Sequence, residues 1–229
     1  MTTRVRSRKG EGDRLREEIL DAAQDLLIET GAEEEVSIRS VADAVGVTPP
    51  SIYRHFRDKS HLIFEVCVRC FDRLAEVIAA AEVPGDPFAT LDQQARAYIR
   101  FGVEHPEHYR IMFMGRVDLT PEEYAEELLL DSSAFGMLCK TIEGCFASGR
   151  LRPRLEAAGV LEVALLSFAT VHGLTSLLVA KPGMPWPPRE EMIELVLDTH
   201  IRSLLTDGAG ARPTVGKGLP TGRGSLPRS

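Results

Sequence analysis

The sequence is short of several things at once, and each shortage closes off a class of protein. Four cysteines in 229 residues, Cys67, Cys70, Cys139 and Cys145, are too few and too irregular for a disulfide framework. The start, MTTRVRSRKG, is basic but no apolar stretch follows it, which argues against a signal peptide and for a reducing, cytoplasmic setting. No strand-like alternation of any length occurs, and nothing repeats. No G-x-S-x-G, Walker A, H-E-x-x-H or Gly-rich dinucleotide fingerprint is present, so an enzyme is not expected. The formal charge of −7 excludes a bulk polycation that coats nucleic acid.

What is present is helix-forming, and its charge is unevenly distributed. Residues 1–9 carry Arg4, Arg6, Arg8 and Lys9 and no acid, residues 10–35 sum to −8, and residues 36–62 sum to +2. A basic arm and a mildly basic segment therefore flank an acidic helix, a distribution compatible with specific DNA contact. A hydrophobic content of 44% supports a real core without staples. Val163–Ala180 runs without a formal charge and approaches the length of a membrane span. Its Ser167, Thr170, His172, Gly173, Thr175 and Ser176, and the lack of an aromatic belt on both sides, read it instead as a buried bundle helix. A helix apolar all round is expected to be covered all round.

Helical spacing recurs along the chain and predicts an all-α fold of about nine helices. The first spans about 13–30, with Leu15, Ile19, Ala22, Ala23, Leu26 and Leu27 on one face, Asp13 as its cap and Gly31 as its stop. Two short helices follow, about 37–45 capped by Ser37 and about 48–55 capped by Thr48, with Gly46 turning between them. Pro49 and Pro50 sit in the first turn of the second, where a missing N–H costs little. Asp58 caps a longer helix, about 58–81, before the break at Val83-Pro84-Gly85-Asp86-Pro87. Further helices are expected at about 86–104, 106–114, 121–148 (with a capping box at Thr120-Pro121-Glu122-Glu123), 155–181 and 188–206. Residues 207–229, rich in Gly, Pro, Ser and Arg, read as a disordered tail. The domains expected are a basic flexible arm (1–12), a small N-terminal helical domain (13–60), a larger helical domain (61–206) and the tail.

The sharpest feature is residues 36–62, VSIRSVADAVGVTPPSIYRHFRDKSHL. Two short helices around a glycine turn make a helix-turn-helix, in which the first crosses the DNA backbone and the second enters the major groove. Small Ala42, Ala44 and Gly46 are expected to let the helices approach closely. Ile38, Val41-Ala42, Ala44-Val45-Gly46-Val47-Thr48, Ile52-Tyr53, His55-Phe56, Lys59 and Leu62 together resemble the TetR family of regulators, and Thr30-Gly31 fits as well. The resemblance implies phosphate contacts for Tyr53, His55 and Lys59, with Thr48 a cap that also reaches phosphate. It implies base-facing positions for Arg39, Pro49, Pro50, Ser51 and Arg54. Arg39 is the best candidate for bidentate reading of guanine. Two readings stand for Arg54, a base contact or a solvated arginine. Two also stand for the arm, a groove-tracking element or a solubilising tail.

His105-Pro106-Glu107-His108-Tyr109-Arg110-Ile111-Met112-Phe113 and Val171-His172-Gly173 resemble the TetR subgroup whose sensor carries a Trp-His-Gly motif, with Val171 where the tryptophan would stand. The resemblance implies that 155–181 and 188–206 pair with their copies in a homodimer, an arrangement that Ala164, Ala169, Gly173 and Ala180 would allow to be close. It also implies an effector pocket between Asp86 and Ala180. Candidate lining residues are Tyr98, Phe101, Tyr109, Met112, Phe113, Met137 and Phe168, with His172 as a polar anchor; ordinary core packing is the alternative for each. Cys67-x-x-Cys70 and the His105/His108 pair lack the further ligands that zinc needs, so neither metal nor cofactor is expected. A thiol redox role for the cysteine pair stays open. The expected partners are double-stranded operator DNA, an unidentified small-molecule effector and a second copy of the chain, with no membrane. The expected function is a ligand-responsive repressor on a palindromic operator. A ligand-independent DNA-binding dimer and an activator of the same fold are the alternatives.

Overall fold

The computed structural model describes residues 11–114, 130 and 132–206. The arm up to residue 10, the tail at 207–229 and the capping box at 120–123 lie outside them. Among the described residues there are ten α-helices and no strand, only an isolated antiparallel bridge between Leu151 and Leu205.

Helices α1 (Glu11–Thr30), α2 (Ile38–Val45) and α3 (Pro49–Ile52) form the N-terminal unit, closed by the first half of α4 (Lys59–Ala79). Their apolar faces meet in one core of Ile19, Leu20, Ala23, Val41, Ile52, Phe56, Leu62 and Val66, among others. Gly31 (φ 69°) and Gly46 (φ 76°) end α1 and α2 in the left-handed region, which a Cβ disfavours. Helix α1 begins two residues before the expected cap, so Asp13 lies within its first turn.

The second unit comprises α5 (Pro87–Glu104), α6 (Pro106–Met114), α7 (Ala134–Ala147), the single turn α8 (Pro153–Glu156), α9 (Val160–Ala180) and α10 (Arg189–Leu204). Asp86 caps α5 by accepting from the N–H groups of Phe88 and Ala89. Two expected helices are interrupted. The described part of 121–148 starts only at Ala134, where Ser133 accepts from Gly136 N at 2.9 Å and a Cβ on Gly136 would collide with the Leu130 carbonyl. The 155–181 segment breaks at Gly159, whose φ of 108° no helix accommodates.

Helix α9 packs on α5 and α7, with α10 alongside. At one point α5 comes so near that a Cβ on Gly102 would collide with Thr175 and lie 2.9 Å from the Tyr109 ring. The expected burial of α9 on every face is not found within one chain. Leu161, Leu165, Leu166 and Leu177 are exposed, and Leu195 on α10, 56% exposed, joins them. Ala169 and Ala180 are exposed as well, and nothing stands beside Gly173, so these small residues serve no close approach inside the chain. Ala164 alone of the four is buried. Among the described residues α9 is the one helix long and apolar enough to cross a membrane. Its buried side carries Ser167 and Thr175, whose hydroxyls bond the carbonyls of Val163 and Val171.

Candidate functional site

The N-terminal unit presents one polar surface. Ser37 caps α2 by accepting from Ser40 N at 3.0 Å, and Ser40 Oγ accepts in turn from Ser37 N at 2.9 Å, a capping box with serine in the third position. Gly46 then reverses the chain. Its role is conformational, since nothing lies within 4 Å of where its Cβ would be, and Ala44 is exposed; only Ala42 lies in the helix interface. Thr48 stands at the cap position of α3, but its hydroxyl meets Ser51 Oγ at 3.2 Å and caps no backbone N–H. Helix α3 is a single turn, shorter than the expected 48–55. Tyr53 ends it, and a turn through His55 N to Ile52 O follows.

Ile52 and Phe56 anchor this segment in the core, and Arg16 of α1 lies over the Phe56 ring at 5.4 Å. With those two inward, Arg39, Thr48, Pro50, Tyr53 and Arg54 are turned outward, and Pro49, Ser51 and His55 are half-buried. Tyr53 is 54% exposed, which packing alone would not select. Arg39 and Arg54 make no ion pair among the described residues. Lys59 differs from its neighbours: its ammonium donates to the Glu33 carbonyl at 2.6 Å, tying the turn after α1 to the start of α4.

The second site is a cavity of about 260 Å³ between α4, α5, α7, α9 and α10. Tyr98, Phe113 and Phe168 of the expected lining residues face it, joined by Phe64, Phe71 and Leu74 of α4 and by Phe135 of α7. The wall thus extends beyond 86–180, to α4 on one side and to Leu197 and His200 of α10 on the other. Phe101, Tyr109, Met112, Met137 and His172 do not line it; they belong to the packing behind or beside it.

Three polar clusters interrupt the apolar wall. Gln94 Oε1 accepts from Thr141 Oγ1 at 2.9 Å. Ser167 Oγ donates to the Val163 carbonyl, so the 3.0 Å contact to His200 Nε2 is an imidazole N–H donated to the serine. Behind Tyr98, His172 Nδ1 lies 2.9 Å from Tyr98 Oη and 2.8 Å from Tyr109 Oη, and Tyr109 Oη meets Ser176 Oγ at 2.8 Å. Burial holds His172 and His200 below the ordinary imidazole value and raises both tyrosines. Burial also pushes Cys67 up to about 12 and Cys70 up to about 11, so both stay thiols at neutral pH, and neither has thiolate character for redox exchange. Gln94 and His200 were missed in the sequence reading. Their signal was register: Gln94 falls in the apolar stripe of Leu91, Ala95 and Tyr98, and His200 in that of Ile193, Leu197 and Leu204.

Helix α4 joins the two sites. Leu62, Ile63 and Val66 sit in the N-terminal core, while Cys70, Leu74 and Ile78 sit in the core of the second unit. Ile111 of α6 packs against both, and the Cys67 thiol reaches the Ile111 carbonyl at 3.8 Å. A helix-turn-helix with an outward polar face, carried on a helix that also walls an apolar cavity, defines a DNA-binding transcriptional regulator. Comparison with known proteins gives the family. Residues 19–66 match the model of bacterial regulatory proteins, tetR family, and residues 91–200 match that of the tetracyclin repressor-like C-terminal domain. AcrR, an HTH-type transcriptional regulator of Shigella flexneri, is 36% identical over 89 residues, 38% of this chain and 41% of that protein, so less than half of AcrR is matched. YobS of Bacillus subtilis strain 168, an uncharacterized HTH-type transcriptional regulator, is 27% identical over 193 residues, 82% of this chain and 89% of that one. A solved structure of a protein of unknown function from Rhodococcus sp. RHA1 superposes with a TM-score of 0.69 at 25% identity, over 84% of this chain and 96% of the other. The chain belongs to the TetR family of transcriptional regulators.

Proposed function

We propose that the protein is a cytoplasmic, ligand-responsive repressor that binds a palindromic operator as a homodimer. Tyr53, His55 and Lys59 hold phosphates, Thr48 assists them, and Arg39, Pro49, Pro50, Ser51 and Arg54 face the bases. Phosphate contacts fix register and base-edge contacts carry sequence information. The match to a tetracyclin repressor-like domain supports repression. The exposed leucines of α9 and α10 support a twofold dimer, which would bury them against their copies.

The observation that carries the ligand response is the shared helix α4, whose Phe71 and Leu74 wall the cavity while its first two turns close the DNA-binding core. A molecule in the cavity displaces that helix, and with it the spacing of the two recognition segments. Coupling is reciprocal, so operator DNA weakens effector binding by the same factor. The test is fluorescence anisotropy of the purified protein on DNA from upstream of its own gene, with a scrambled duplex as control and cavity ligands titrated in. Preference for the upstream DNA, weakened by Tyr53→Ala and reversed by ligand, is the expected result. Operator affinity that stays constant as the cavity fills would leave a ligand-independent dimer.

A further inference from the structure

The cavity's polar groups narrow the class of molecule that it takes. Gln94 is 8% exposed and lies on the wall. Its Oε1 is fixed by the Thr141 hydroxyl, which turns Nε2 to the other side. That nitrogen carries two N–H donors with no partner among the described residues. It is nevertheless not sealed off, and for a residue nine-tenths buried on a cavity wall the space it meets is the cavity. Of the other polar groups on the wall, Tyr98 is engaged with His172, His200 Nε2 with Ser167, whose own proton goes to Val163, and Ser133 with Gly136 N, while Ser132 is exposed at the rim. The Gln94 amide is therefore the buried donor left open to a ligand, and a buried donor without a partner is costly.

Charge is the second constraint. No lysine or arginine lines the cavity among the described residues, and burial keeps His200 neutral. Among the described residues the one charged side chain on the wall is Asp72, an exposed carboxylate at the rim. A carboxylate or phosphate would shed its water with no counter-ion and pass an acid on the way.

We propose that the cavity takes an uncharged, largely apolar molecule with a carbonyl-type acceptor, held by the Gln94 amide N–H, and excludes carboxylates of the same shape. This rests on the reading of the cavity as the effector site. The test uses three probes of one shape on the full chain: benzylacetone, its carboxylate counterpart hydrocinnamate, and the hydrocarbon isopentylbenzene. Affinities are measured by ligand-observed NMR. Gln94→Met is expected to weaken benzylacetone about fivefold while leaving isopentylbenzene unchanged, the size of one hydrogen bond. Gln94→Glu, which keeps an oxygen for Thr141 but loses the donor, should weaken the ketone at least as much, and retained isopentylbenzene binding certifies that each variant is folded. Hydrocinnamate should bind wild type at least about tenfold more weakly than benzylacetone. Equal losses for ketone and hydrocarbon, no loss for either, or hydrocinnamate binding as tightly as the ketone would each overturn the proposal and leave the cavity a ligand site. Binding of none of the three to wild type would overturn the effector-site reading together with it.

Discussion

Tyr98 and Tyr109 direct their hydroxyls at one atom, Nδ1 of His172, from 2.9 and 2.8 Å, with their rings edge-on at 6.2 Å. A ring nitrogen offers one lone pair or one hydrogen in its plane, so the two phenols share a single partner. Tyr109 has another partner in Ser176, at 2.8 Å. Removing the Tyr98 hydroxyl leaves the nitrogen served, while removing that of Tyr109 also takes from Ser176 the shorter of its two bonds, leaving it only His172 Nε2 at 3.2 Å. Tyr98→Phe is therefore expected to cost under about 1 kcal/mol, and Tyr109→Phe about 1–3 kcal/mol. Urea denaturation of both variants checks this, and equal losses would contradict the unequal sharing.

One buried and two half-buried histidines set a pH dependence. His172 and His200 are held below the usual imidazole value by burial, and His108 by burial first, with Arg73 and His105 adding to it. With the folded value below the unfolded one, the unfolded chain binds more protons as pH falls through about 6.5. Their contribution is thus fully present above that pH and is lost progressively below it, toward the folded values. Thermal melts should move down between about pH 7.5 and about pH 5.5. His200→Gln, whose amide can still donate to Ser167, should make that descent shallower; an unchanged slope would remove His200 from the account.

Lys59 has one observed role and one proposed. Its ammonium bonds the Glu33 carbonyl, and the proposed function also gives it a phosphate. Lys59→Met should lower stability by about 1 kcal/mol, because a half-exposed charged hydrogen bond is lost. If the lysine also reaches phosphate, the slope of log affinity against log salt should fall by about 0.9. A stability loss with an unchanged slope would assign Lys59 to the fold alone.

The leucine face can be tested without touching the cavity. Leu166 and Leu195 are exposed and do not belong to the wall of the 260 Å³ space. Arginine at both positions should give a monomer in sedimentation velocity and weaken operator binding by about 100-fold or more, as two linked half-site contacts become separate. A double variant that remains dimeric would place the interface elsewhere.

The N-terminal unit was legible because its signals are local. Ser37, Gly46 and Asp58 act within a few residues of themselves, as a cap, a left-handed turn and a cap. Core positions such as Ile52 and Phe56 follow from the same spacing. The cavity was less legible because it is made between helices distant in sequence: Phe71, Gln94, Phe168 and His200 come from four of them. Aromatic residue type pointed to Tyr98, Phe113 and Phe168 but equally to Phe101 and Tyr109, which pack elsewhere. The breaks before Ala134 and at Gly159 escaped periodicity for a related reason. One depends on the carbonyl of Leu130 and the other on a single backbone angle, and hydrophobic spacing records neither.

Gly102 is a hinge of information that a truncation survey would pass over. In the second unit, His172 is reached by Tyr109 because α5 leaves room there for nothing larger than hydrogen, with Thr175 closing from the other side. Replacing side chains by alanine removes atoms along this helix, or changes nothing at Ala89, Ala95 and Ala97, but at Gly102 it adds one. The position answers only to enlargement, so a map of function drawn from what can be cut away would leave a blank where α5, α6 and α9 meet.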